Sequence, residues 1–272
     1  MMPASRRIYA LIYRHVALFR RSWPRLLEVA YWPTLQLLIW GFTASFFAHS
    51  AASITSHLGQ PILATSALIA GVLLWEFTIR SQIGVTLSFM EEIWSRNLGH
   101  LFVSPLRPSE FLSALIIVSL LRTIIGLLPA LIIAYALYSF NILLLGPVLI
   151  LFLANLLIMG WWIALLIVSL LFRYGAGAEA LAWTVGFAIA PFACVFYPLA
   201  ALPAWLAPIA IALPAAHIFA GMRAALLTQT IDWHQLNLAF LLNGIWACLA
   251  FAIFAAQFRA ARIKGALISI GE

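Results

Sequence analysis

Apolar residues run in long blocks along most of the chain, separated by only a few polar intervals. A helix needs about 20 apolar residues to cross the ~30 Å hydrocarbon core of a bilayer. On that measure the pattern predicts an all-α polytopic membrane protein, one membrane domain with six transmembrane helices. They fall at about 29–48, 61–90, 110–138, 145–172, 179–197 and 236–258. The second block is near 30 residues, roughly 45 Å as a helix, so its far end is expected to project from the membrane. Ahead of the first span, residues 5–26 alternate with a helical period. Ile8, Ile12, Val16, Phe19 and Trp23 share one face, and Arg7, Arg14, Arg21 and Arg25 gather opposite. That pattern suits a helix lying on the membrane, with apolar side chains sunk to the acyl boundary and arginines among anionic headgroups. Before the last span, residues 198–227 are punctuated by Pro198, Pro203, Pro208 and Pro214. Their apolar pieces are too short to cross. They predict a re-entrant hairpin, tolerated only where protein or water satisfies its backbone.

The longest polar interruption is Glu91–Phe111, EEIWSRNLGHLFVSPLRPSEF. Laid on a helix over about 91–103, Trp94, Leu98, Leu101 and Phe102 fall on one side. Glu92, Arg96 and His100 fall opposite at four-residue spacing, a single polar stripe. Pro105 disfavours helix at Ser104 and ends the element, Pro108 resets the chain, and Ser109 stands where it can cap the next helix. A short amphipathic helix between two spans fits two readings. It is a docking element for something outside the membrane, or an interfacial helix resting on headgroups.

Composition agrees with the pattern: 65% hydrophobic and 8% charged residues, with a mean hydropathy of +1.07, exclude a soluble globular chain. The net charge of +7 is therefore read by position and not as a nucleic-acid footprint. Arg6, Arg7, Arg14, Arg20, Arg21 and Arg25 precede the first span, and Arg96 and Arg107 join the second and third. Arg173 joins the fourth and fifth, and Arg259, Arg262 and Lys264 follow the last, against Arg223 alone on the other side. The positive-inside rule then places both ends and Glu91–Phe111 in the cytoplasm and the proline-rich hairpin outside. The Arg-rich first 25 residues do not read as a cleavable signal peptide.

Little in the chain offers chemistry. A P-loop needs a lysine after glycine, and the sole lysine, Lys264, follows Ile263. HExxH, CxxC and GxSxG are absent, and His15, His49, His57, His100, His217 and His234 lack ligand spacing. Cys194 and Cys248 each fall inside a predicted span and form no disulfide framework. No catalytic residue, metal site or cofactor is expected. Three ionisable residues do lie within spans: Glu76, Arg80 and Arg122. Charges at that depth cost several kcal/mol unless paired or wet. They form either a packing staple, Glu76 with Arg80 or Arg122, or a functional polar cluster. Trp40, Phe46, Phe47, Phe192, Phe196, Tyr197 and Trp205 are core or interface aromatics, or line a substrate path.

Two stretches resemble the membrane subunits of bacterial type 2 ABC exporters, the family of O-antigen, capsule, teichoic-acid and multidrug exporters. Leu101–Phe111, LFVSPLRPSEF, is similar to the family's "L-hydrophobic-hydrophobic-SP-L-x-P-x-E-hydrophobic" stretch. Phe196–Leu206, FYPLAALPAWL, is similar to its "FYP-x-x-x-LP-x-WL" outer segment, with Leu213-Pro214 and Arg223 following in order. The resemblance covers nearly the whole chain. It implies that about 91–103 is the coupling helix, with Glu92, Arg96, His100, Ser104 and Pro105 at the junction with a separate cytoplasmic ATPase. Trp94, Leu98 and Phe102 would pack back on the spans. It further implies two ATPase copies carrying ATP and Mg, a second permease copy, and a multi-pass location in the bacterial inner membrane. The chain itself would be a transport permease, not an enzyme. Glu76, Arg80 and Arg122 map onto no motif of the family. The competing expectations are an integral membrane enzyme acting on lipid-linked substrates through those three residues, and an ion-coupled transporter. The latter is disfavoured because no inverted repeat is evident.

Overall fold

In a computed structural model that describes residues 3–54, 60–103 and 106–263, the described residues form helices and no strand. The helices are α1 (Ala4–Arg21), α2 (Trp23–Ile54), α3 (Gln60–Trp94), α4 (Leu98–Val103), α5 (Pro108–Tyr138), α6 (Val148–Tyr174), α7 (Leu181–Ile189), α8 (Ala207–Ile211), α9 (Pro214–Leu227) and α10 (Trp233–Ile263). Four stretches among them are long and apolar enough to cross a membrane: Ser66–Trp94 of α3, and the whole of α5, α6 and α10. The chain is thus a multi-pass membrane protein by the length and composition of its helices.

The bundle is built around α3, which packs on α2, α5, α6, α7 and α9. Its most apolar stretch is 72% buried against 22% for that of α10, so α3 is central and α10 peripheral. Without a hydrophobic drive between helices in lipid, small residues and interhelical hydrogen bonds must hold such a centre. Gly160 of α6 sits where a Cβ would lie 1.9 Å from Ser81 Oγ and 2.6 Å from the Thr78 carbonyl oxygen, so only glycine allows this approach of α3 and α6. Buried polar side chains also tie α3 to α6, α7 and α5. Thr78 Oγ1 donates to the Leu156 carbonyl at 3.3 Å, Gln82 Nε2 to that of Ala182 at 3.1 Å, and Ser119 Oγ to that of Ser81 at 2.8 Å. On the far side of α6, Asn243 of α10 donates to Asn155 Oδ1 at 2.9 Å and accepts from Trp162 Nε1 at 2.9 Å. Trp162 also stacks on Trp246.

The other two expected spans are not among the four membrane-capable helices. The first lies within α2, a 32-residue helix that carries Pro33 in its interior. The fifth, 179–197, is α-helical only over the nine residues of α7, about 14 Å in length. Turns follow, through Pro191 to Tyr197. Proline cannot donate the next helical hydrogen bond and clashes with the preceding turn.

The proline-rich stretch 198–227 contains the five-residue α8 and the 14-residue α9. Its first half and the preceding turns expose carbonyls that no helix ladder uses, and side chains meet them. Arg223 Nη1 donates to the Cys194 carbonyl at 2.9 Å, Trp246 Nε1 to that of Ala212 at 2.9 Å, and the His217 ring meets that of Ile211 at 2.9 Å. Nearly all of α9 from Pro214 to Met222 is buried.

Candidate functional site: a charged junction and an aromatic cavity

Where α3 ends and α5 begins, three carboxylates, Glu91, Glu92 and Glu110, meet the first two helices. The expected single helix over 91–103 does not form: α3 ends at Trp94, and Arg96 adopts φ 54°. The chain then restarts as the six-residue α4. A left-handed residue turns the axis, so the 100° register that predicted one polar stripe holds only on either side of it. Glu92 therefore does not face outward with Arg96 and His100. It is fully buried, accepting from Arg14 of α1 and from Asn97 Nδ2 at 2.7 Å. Trp94, expected to pack inward, is 50% exposed, and Ser95, Arg96 and His100 are exposed beside it. Leu98 is buried as expected. Ser104 and Pro105 lie outside the described residues.

Glu91 is the hub of the junction. Its carboxylate accepts from Arg122 Nη2 at 3.1 and 3.2 Å and from Arg25 Nη1 at 3.2 Å. His15, fully buried, places Nδ1 3.4 Å from Glu91 and Nε2 3.4 Å from Glu92, bridging two successive carboxylates. The Arg122 guanidinium also lies 5.3 Å from the Phe19 ring centroid. At the start of α5, Glu110 accepts from Arg7 Nε at 2.9 Å and from the Arg107 backbone N–H at 3.1 Å. That hydrogen bond raises the Arg7 guanidinium above its ordinary value. Arg107 is the residue that caps α5, with Pro108 first in the helix, and Ser109, the expected cap, lies within it.

These pairings revise the picture of α1. Arg7, Arg14 and Arg25, expected among headgroups, reach carboxylates of α3 and α5. The buried face is Leu11, His15 and Phe19, whereas Val16 and Trp23 are exposed. A histidine at i+4 in an otherwise apolar stripe was the sequence signal for this contact; its partners, some 76 residues away, carried no mark.

The intramembrane trio separates. Glu76 and Arg80 pair along one face of α3, Arg80 Nε donating at 3.1 Å. Arg122 belongs to Glu91 and not to Glu76. The Glu76–Arg80 pair lies on the wall of a cavity of ≈ 520 Å³ between α2, α3 and α7. Six rings line it: Trp32, Trp40, Trp75, Trp183, Phe187 and Phe196. Trp40 and Phe196 stack at 4.3 Å with planes 19° apart, so two of the path candidates meet there. Phe192, Tyr197 and Trp205 do not line it; Tyr197 donates to the Pro191 carbonyl at 2.6 Å, and Trp205 is 75% exposed. Glu28 of α2 completes the lining and forms no ion pair among the described residues. Its position at the edge of the first apolar block hid it among flanking residues.

Among the described residues no group of three or more His, Cys, Asp or Glu is arranged to hold a metal ion. No protein-family model matches the chain, and no curated protein matches it.

Proposed function

We propose that the chain is the permease subunit of an ATP-driven exporter of the type 2 ABC kind, with six membrane crossings and an outward hairpin at 198–227. It would move an amphipathic, glycan- or lipid-linked or drug-like substrate across a bacterial inner membrane, with both termini cytoplasmic. ATP and Mg belong to two copies of a separate ATPase, and a second permease copy completes the path. The observation that carries this reading is the α3–α4 turn. Trp94, Ser95, Arg96 and His100 form an exposed knob at the end of the central helix. Directly behind it, Glu91 and Glu92 are tied to α1, α2's first turn and α5. A push on the knob is therefore delivered to several helices together. Buried charge networks of this kind hold discrete arrangements and resist continuous deformation, which suits transmission of a closing motion. The two local sequence resemblances add independent support.

Gentle extraction of the tagged chain from its native membrane should bring down a P-loop ATPase in stoichiometric amount, and Arg96→Glu with His100→Glu should release it. A clean preparation, or retention by the double variant, would refute the reading. The Glu76–Arg80 pair on a cavity wall favours one other reading, a membrane enzyme acting on lipid-linked substrates. Such an enzyme turns over without any ATPase.

A further inference from the structure

The cavity between α2, α3 and α7 has a charge and a lining that select among substrate classes. Glu76 is neutralised by Arg80 on its own helix. Glu28 has no cationic partner among the described residues, so the lining carries one uncompensated negative charge. Six of the other lining residues are aromatic, and a ring presents a negative quadrupole on its face. A carboxylate beside aromatic rings favours a cation over a neutral or anionic guest, because ion–carboxylate and cation–π attraction act together. Arg80, paired with Glu76 at 3.1 Å, adds no net positive charge to the wall that would draw an anion. Of the two amides in the lining, Gln36 and Gln82, that of Gln82 already donates to Thr86 Oγ1 and the Ala182 carbonyl. The volume of ≈ 520 Å³ falls in the range that holds drug-sized ligands.

We propose that this cavity binds a lipophilic organic cation, a singly charged onium or protonated amine on an apolar ring-bearing body, and that this is the class of molecule the permease moves. The second half of that statement rests on the exporter reading; the first does not.

The test uses the purified full chain in nanodiscs of zwitterionic lipid. Protein-dependent binding of radiolabelled tetraphenylphosphonium and, in separate samples, of tetraphenylborate is measured against empty nanodiscs. The two ions match in size and differ in sign. The phosphonium should bind saturably, one per chain, and the borate should show no protein-dependent binding. Glu28→Gln should weaken the phosphonium about tenfold and Glu28→Lys should abolish binding, whereas Glu28→Asp retains it. Trp40→Ala should cost about tenfold through the lost ring face. Equal binding of both ions, no binding of either, or unchanged affinity in Glu28→Gln or Trp40→Ala would overturn the proposal. Because the assay needs no ATPase, the two ideas fail separately. Loss of cation binding with the ATPase still co-purifying removes the site alone, and cation binding without any ATPase removes the exporter reading alone.

Discussion

Glu91 and Arg122 provide the sharpest energetic test of the junction. Arg122 is 5% exposed, and its Nη2 donates to both carboxylate oxygens of Glu91, at 3.1 and 3.2 Å. Glu91→Gln preserves shape and one acceptor but leaves a buried guanidinium without its counter-charge, at a cost of about 3–5 kcal/mol. Arg122→Gln is expected to cost less, about 2 kcal/mol, because Glu91 keeps Arg25 at 3.2 Å and His15 at 3.4 Å. The double variant should then be less destabilised than the sum, with a coupling of about 1–3 kcal/mol. Glu76→Gln with Arg122→Gln is the matched control. Glu76 pairs with Arg80, shares no partner with Arg122, and its cycle should be additive within about 0.5 kcal/mol. Reversible unfolding in mixed micelles, titrated with SDS and followed by tryptophan fluorescence, measures both cycles on the same footing. Coupling in the Glu76 cycle together with additivity in the Glu91 cycle would refute the pairing described here. It would restore the staple between spans that the sequence also allowed.

The other expectations concern the same interfaces. Glu92→Lys, which places a second cation beside Arg14 in a fully buried site, should lower the folded yield several-fold, whereas Arg96→Glu at the exposed turn should leave yield unchanged. Quantifying monodisperse protein after size exclusion decides it, and equal yields would contradict the burial of Glu92. Gly160→Ala should destabilise by about 1–3 kcal/mol. A Cβ at 2.6 Å from the Thr78 carbonyl can be relieved only by parting α3 from α6, so Ser81→Ala should rescue it incompletely in a thermal unfolding series. Asn243→Ala leaves the Trp162 N–H and Asn155 Oδ1 without their buried partner and should cost about 1–3 kcal/mol in the same assay.

How much of this was legible in the residues follows the range of the forces involved. The helical class, the long apolar helices α3, α5, α6 and α10 and the break before Pro108 depend on apolar period and proline within a few residues, and the sequence determined them by itself. The long second helix and the Glu76–Arg80 pair are of this kind, since i and i+4 always share a helix face. Tertiary structure decided whatever depended on which helices cross and where. Arg122 lies 31 residues from Glu91, and Arg14 lies 78 from Glu92. A basic residue near a membrane edge reads equally as a headgroup anchor until a carboxylate is brought against it. The left-handed Arg96 escaped because a single φ, paid for by tertiary packing, shifts the register of every residue after it. The cavity escaped for the same reason. Its rings come from α2, α3, α7 and the turn at Phe196, and no periodicity along one helix records a space enclosed by four segments.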